Sequence, residues 1–295
     1  MRRYLGPVQG RPTNLVTPDS FLWLFRIVWV ALAIAVATAL DGTMAAAAWW
    51  VLVAVAAVAL TVTGPLGLTV VRLATSLAAP VAVIAWIDGA STALGAAITL
   101  VALLATFVAA SAEVGEAMVQ GAAYGDEFRF PLRLPAAMFI PVALMWLVWA
   151  AAVLGGTLLV VNERWIVGVV VAGVAAAATW WLGPRFHRLS RRWLVLVPAG
   201  VVVHDQVLMA ETMLVQRTNI AAARLALAGS EAFDLTGPAG GHALDIAVRD
   251  MVQAIFPASA KEPTGRAVHL QSFLVAPSRP GRVLQAMAER KLPVG

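Results

Sequence analysis

Six apolar runs, each about as long as a bilayer is thick, fill most of residues 20–182. A helix crossing the hydrocarbon core needs roughly 20 mostly apolar residues. The runs cover about 20–40, 44–62, 66–87, 91–112, 135–161 and 165–182. Stretches such as AAAAWWVLVAVAAVAL carry no helical polarity pattern, so periodicity does not separate them from buried helices of a soluble core. Their length, number and nearly uniform apolarity decide for membrane spans. The chain is 61% hydrophobic and only 13% charged, against about 25% charged in soluble domains. A soluble enzyme does not have this composition.

Charge fixes an expected orientation. With the N-terminal tail (1–19) inside, the outer loops are 41–43, 88–90 and 162–164, and Arg164 is their one arginine. The inner segments hold Arg2, Arg3, Arg11, Arg129, Arg133, Arg185, Arg188, Arg191 and Arg192. Basic residues gather on the cytoplasmic side of membrane proteins, so both termini, the 113–134 connection and residues 184–295 are expected there. The pI of about 10.6 is then an orientation signal. Basic residues outnumber acidic ones twelve to eight through Arg192, but only nine to eight beyond it. No basic patch remains for a nucleic acid. Absence of cysteine removes disulfides and thiolate chemistry. Arginine outnumbers lysine 19 to 2, and with abundant alanine and valine this suggests a bacterial chain from a GC-rich genome.

After Arg191 the pattern changes. WLVLVPAGVVV reads as two strands around a turn at Pro198–Gly200, and in HALDIAV the residues Leu244, Ile246 and Val248 alternate with polar or small ones. AVHLQSFLVA is a further strand, whereas Met251–Arg266 reads as a long interruption, a plug or lid at a barrel mouth. At the end Ser278 is placed to cap a helix with Pro280 in its first turn, and Val283, Leu284 and Met287 share one face.

The segments RRWLVLVPAGVVVHD, ETMLVQRTNIAAARLAL and SRPGRVLQAMAERK, set directly after a membrane helix, resemble bacterial pleckstrin-homology-like domains over about residues 190–292. The resemblance implies a small, partly open β-barrel closed by a terminal helix, and a binding or assembly role. The tail has no dense cluster of basic residues, so phosphoinositide binding is not implied.

A search for reacting groups finds little. His187, His204, His242 and His269 show no zinc-helix spacing, and there is no P-loop, no G-x-S-x-G elbow and no Asp-rich metal motif. Neither a cofactor nor a metal is expected. The polar exception is EVGEAMVQGAAYGDEFRFPLRLP, between the fourth and fifth runs. Glu113, Glu116 and Gln120 fall on one face if the fourth helix continues. In FRFPLRLP, Phe128 and Phe130 alternate with Arg129 and Arg133, which suits the head-group layer or an edge strand of the tail. Tyr124, Asp126 and Glu127 form the turn between the two halves. Read as a plain connector, the acidic half would pair with arginines such as Arg185 and Arg188. Arg26 and Arg72 lie one to two turns inside their helices and either snorkel or meet anionic head groups.

The sequence therefore predicts a six-span α-helical bundle with a β-rich, PH-like tail, set in a bacterial inner membrane. The expected role is a non-catalytic accessory, scaffold or regulatory subunit, with the bilayer and other membrane proteins or a second copy as partners. One alternative is a transporter or lipid-handling protein that uses Arg26, Arg72, Arg185 and Arg188 for anions. The other is a membrane enzyme that uses the carboxylates of the 113–134 connection.

Overall fold

The computed structural model describes residues 18–258 and 265–295, so the N-terminal arginines and part of the 251–266 interruption lie outside the described residues. The chain opens with α1 (Pro18–Ala39), α2 (Thr43–Thr61), α3 (Pro65–Ile87) and α4 (Thr92–Ala110), followed by a short α5 (Ala112–Gln120). Strand β1 (Phe128–Pro131) comes next, then α6 (Phe139–Val161) and α7 (Trp165–Leu189). Six of these helices, all but α5, are long and apolar enough to cross a membrane.

Helix α3 is the hub of this domain. Within its most apolar stretch 44% of residues are buried, against 11% for α6 and 17% for α7. The buried face runs through Gly67, Val71, Ala74, Ala78, Ala82 and Ala85. Small side chains at helical spacing let neighbouring helices approach closely, as helix packing in lipid requires. Thr106 on α4 donates its hydroxyl to the Thr75 carbonyl of α3 at 3.0 Å, and Trp49 on α2 donates its indole N–H to Ala33 of α1 at 2.8 Å. That buries Trp49, whose position near a helix end suggests an interfacial anchor. Helices α6 and α7 form a hairpin of their own: a Cβ on Gly156 would lie 2.9 Å from the Ala172 backbone.

The β-rich region holds β2 (Arg192–Val197), β3 (Gly200–Asp205), β4 (Met213–Gln216), β5 (Ile220–Leu225), β6 (Phe233–Asp234), β7 (Leu244–Phe256) and β8 (Arg266–Val275), then α8 (Pro280–Glu289). They build two four-stranded sheets, β1-β2-β3-β4 and β5-β7-β8-β6, and neither closes into a barrel. All pairings are antiparallel except β6 with β8. One core joins Leu194, Leu196, Val201 and Val203 of the first sheet to Leu244, Ile246 and Phe273 of the second, with Val283 and Met287 of α8.

Three expectations change. The Met251–Arg266 interruption is neither plug nor lid over its described residues. Instead β7 continues to Phe256 and pairs with β8 from Val252↔Leu270 to Phe256↔Arg266. A register shift between Ala247 and Val252 hides this continuity from the alternation. Helix α8 begins at Pro280 with Arg279, not Ser278, at its N-cap. Across 113–134 the expected helix continuation is broken at Ser111, where a separate α5 begins, while the expected edge strand is present as β1.

Strand β2 is buried on both faces. Leu194 and Leu196 enter the β-rich core, while Trp193 and Val195 belong to the same buried cluster as α1, α3 and α5 residues such as Phe25, Leu68 and Met118. The sheet is thus a packing layer against the helices.

Candidate functional site

The connection that stood out in the sequence lies at the seam between the helices and the sheets. The fourth helix does not run on as one rod. Ser111 adopts an extended backbone (φ −63°, ψ 159°) and caps the new helix, its hydroxyl accepting from Val114 N–H at 3.3 Å. This redirects α5 so that residues Val114 to Val119 are all buried.

Glu113 and Glu116 then face α8 of the β-rich region. Glu116, only 7% exposed, lies 2.7 Å from Arg282 and 3.6 Å from Arg279, and Glu113 lies 3.8 Å from Arg279. Burial pushes the Glu116 carboxyl above its ordinary range, opposed by Arg282 and then Arg279. Gln120 leaves this face and meets β1, donating to the Glu127 carbonyl at 2.8 Å and accepting from Arg129 N–H at 2.9 Å.

The turn and the strand complete the seam. Tyr124 is 90% exposed, and its backbone N–H donates to the Glu127 carboxylate at 2.6 Å. Asp126 receives Arg290 at 2.7 Å, and that guanidinium lies 4.8 Å from the Phe128 ring centroid. Glu127 pairs with Arg129, which sits over Trp193. Strand β1 joins β2 in the register Phe128↔Leu196 to Pro131↔Trp193. Beyond it, Leu132 N–H donates to the Arg192 carbonyl at 2.9 Å and Arg133 N–H to the Ala276 carbonyl at 2.8 Å. Ser278 N–H returns to the Pro131 carbonyl at 2.8 Å. One strip of chain is therefore stitched to both sheets.

The acidic half pairs with Arg279, Arg282 and Arg290, and not with Arg185 or Arg188. Arg185 is exposed, stacks on Trp181 and donates to its carbonyl, and Arg188 is exposed. Arg26 donates twice to the Leu60 carbonyl, at 2.6 and 3.2 Å, near the C-terminal end of α2, and lies over Trp23. A cation there complements the carbonyls that a helix end leaves unpaired. Arg72 sits elsewhere, so the two arginines do not form a pair.

Arg72 lines a cleft of about 960 Å³ between α3–α4 and α6–α7. Leu73, Ala79, Leu103, Val142, Ala143 and Trp146 give it apolar walls. Its polar end reaches Arg133, Arg192, Gly240 and Ser278 at the β-rich region. Arg192 is already neutralised there. Its Nε and Nη2 donate to the two oxygens of Asp205, both at 2.8 Å, and its Nη1 donates to the Arg133 carbonyl at 2.7 Å. Among the described residues no group of three or more His, Asp or Glu could hold a metal ion.

Compared with protein-family models, with curated proteins and with solved structures, the chain matches none of them.

The sequence brought Glu113, Glu116, Asp126, Glu127, Arg129 and Arg133 to notice but not their partners. Arg279 and Arg282, three apart at the start of α8, carried one usable signal: two cations beside an apolar helix face need an acidic surface. Nothing in the order of residues named α5 as that surface.

Proposed function

We propose that this is an integral protein of a bacterial inner membrane that works without catalysis, as an accessory, scaffold or regulatory subunit of a membrane complex. In this reading both termini are cytoplasmic and the β-rich region is a PH-like binding module. The observation that carries it is β1: a segment from between two apolar helices completes the first sheet. A domain that only needed tethering would require a linker. Strand donation, a shared packing face at Trp193 and Val195, and the Glu116–Arg282 contact hold this module in one position against the helices. Such fixing suits a surface presented to a neighbour in the membrane, or one that passes strain between the two parts.

The test is crosslinking in native membranes followed by purification of the full chain. The expected result is a discrete complex with the same membrane partner or a second copy, lost in Phe130→Asp while the variant stays membrane-inserted. Recovery of the wild type only as an uncrosslinked monomer overturns the reading. Reporter fusions at each terminus test the orientation separately, and an external reporter signal from either end rejects it.

A further inference from the structure

We infer that the cleft between α3–α4 and α6–α7 binds an anionic membrane lipid, its acyl chain along the apolar walls and its head group at Arg72 and Arg133. Three observations lead there, and none depends on the assembly role proposed above.

The first is shape. At about 960 Å³ the cleft is at the upper end of small-molecule sites, which run to about 1,000 Å³. It extends along α3 from Thr69 and Arg72 to Ala79 and Pro80. The eight helical steps from Arg72 to Pro80 give about 12 Å, enough for much of an acyl chain.

The second is the state of its polar groups. Two of the hydroxyls on the wall, those of Ser76 and Thr106, are already satisfied. Ser76 donates to Leu73 and accepts the Trp146 indole N–H at 2.7 Å, and Thr106 donates to the Thr75 carbonyl. Arg72 and Arg133 are not satisfied in the same way. Arg72 donates only its Nε, to the Ala109 carbonyl at 3.2 Å. Arg133 gives Nη2 to the His242 carbonyl, while its Nε is buried with no partner. Among the described residues neither arginine forms an ion pair. A cation at membrane depth without a counter-charge is costly and marks a ligand path.

The third is level. Arg72 stands two turns inside the end of α3 nearest the β-rich region, a depth from which an arginine can snorkel toward lipid phosphates. A free anion would answer the charge and leave the walls empty. A neutral amphiphile would fill the walls and leave both guanidinium groups unpaired. An anionic lipid does both.

The experiment uses the full chain, stripped of lipid in an uncharged detergent, and native mass spectrometry with added phosphatidylglycerol or phosphatidylcholine. The wild type is expected to hold phosphatidylglycerol about tenfold more tightly. Arg72→Gln should bring the two lipids to near parity, and Arg72→Lys should restore most of the preference. Ala143→Trp, which adds bulk to the cleft wall and leaves both arginines in the chain, should release both lipids. Equal binding of both lipids by the wild type, an unchanged preference in Arg72→Gln, or unchanged binding in Ala143→Trp overturns the inference. Displacement of phosphatidylglycerol by an equal concentration of inorganic phosphate also overturns it, because the occupant is then a free anion.

Discussion

Glu116 on α5 and Arg282 on α8 meet at 2.7 Å, joining the helix that follows the fourth apolar run to the last helix of the chain. The carboxylate is almost fully enclosed, whereas the arginine keeps about a third of its side-chain surface, 34%. An ion pair of this kind holds two surfaces in register and adds little to overall stability, since solvent screens the exposed partner.

A double-mutant cycle of Glu116→Gln and Arg282→Gln should therefore return a coupling of about 1 kcal/mol. The same variants should speed amide exchange in α8 more than in α3. Equal effects on both helices would mean that the contact does not act at the seam.

The pH dependence of this contact has a definite sign. The folded protein holds the Glu116 proton more tightly than the unfolded chain, whose carboxyl titrates near the ordinary 4.5. Between that value and the raised one the folded state binds more protons, so the Glu116 contribution to stability falls as pH rises. Glu116→Gln removes this pH dependence. Melting curves of wild type and variant, measured from about pH 4 to about pH 7, should show the wild type losing ground to the variant on the way up.

Phe130 is the anchor of β1, only 5% exposed and opposite Leu194. Phe130→Ala should cost about 3 kcal/mol through the lost burial and the cavity. Hydrogen exchange should then rise along β2 while the α6–α7 hairpin stays unchanged.

Arg192 and Asp205 form a two-point pair with both side chains 1% exposed. Asp205→Asn leaves the arginine charge buried and uncompensated, which should destabilise by about 3–5 kcal/mol. Arg192→Met combined with Asp205→Leu should cost less than Asp205→Asn alone. Thermal unfolding in detergent compares the two.

The six long helices were legible because length and apolarity alone define a spanning segment, and α4 ended two residues short of its expected limit because Ser111 turns the backbone. The edge-strand reading of FRFPLRLP held for Phe128–Pro131, where Pro131 closes the strand and does not interrupt it. Most of what makes the seam was not legible. Arg279, Arg282 and Arg290 are distant in sequence from the acids they meet, and helix periodicity in α8 reports only the face that Val283 and Met287 bury. The cleft was hidden for another reason: its walls are the same alanines, leucines and valines that line every lipid-facing surface. Arg72 showed as an intramembrane cation, but its lack of a carboxylate is a property of three dimensions.

The strip that Pro131, Leu132 and Arg133 lay across both sheets sets an order of assembly. Synthesis delivers β1 before α6 and α7, and only later the strands that will hold it. Its sheet partner, β2, lies beyond two further long helices in the chain. The sheet it belongs to closes when β2 arrives, and the second sheet locks over it when Ala276 and Ser278 leave the ribosome. A fragment beginning at Arg192 would lack its first strand and expose Trp193 and Val195 to water. The sequence therefore has no clean cut between the helices and the sheets: residues after β8 finish a structure that the middle of the chain began.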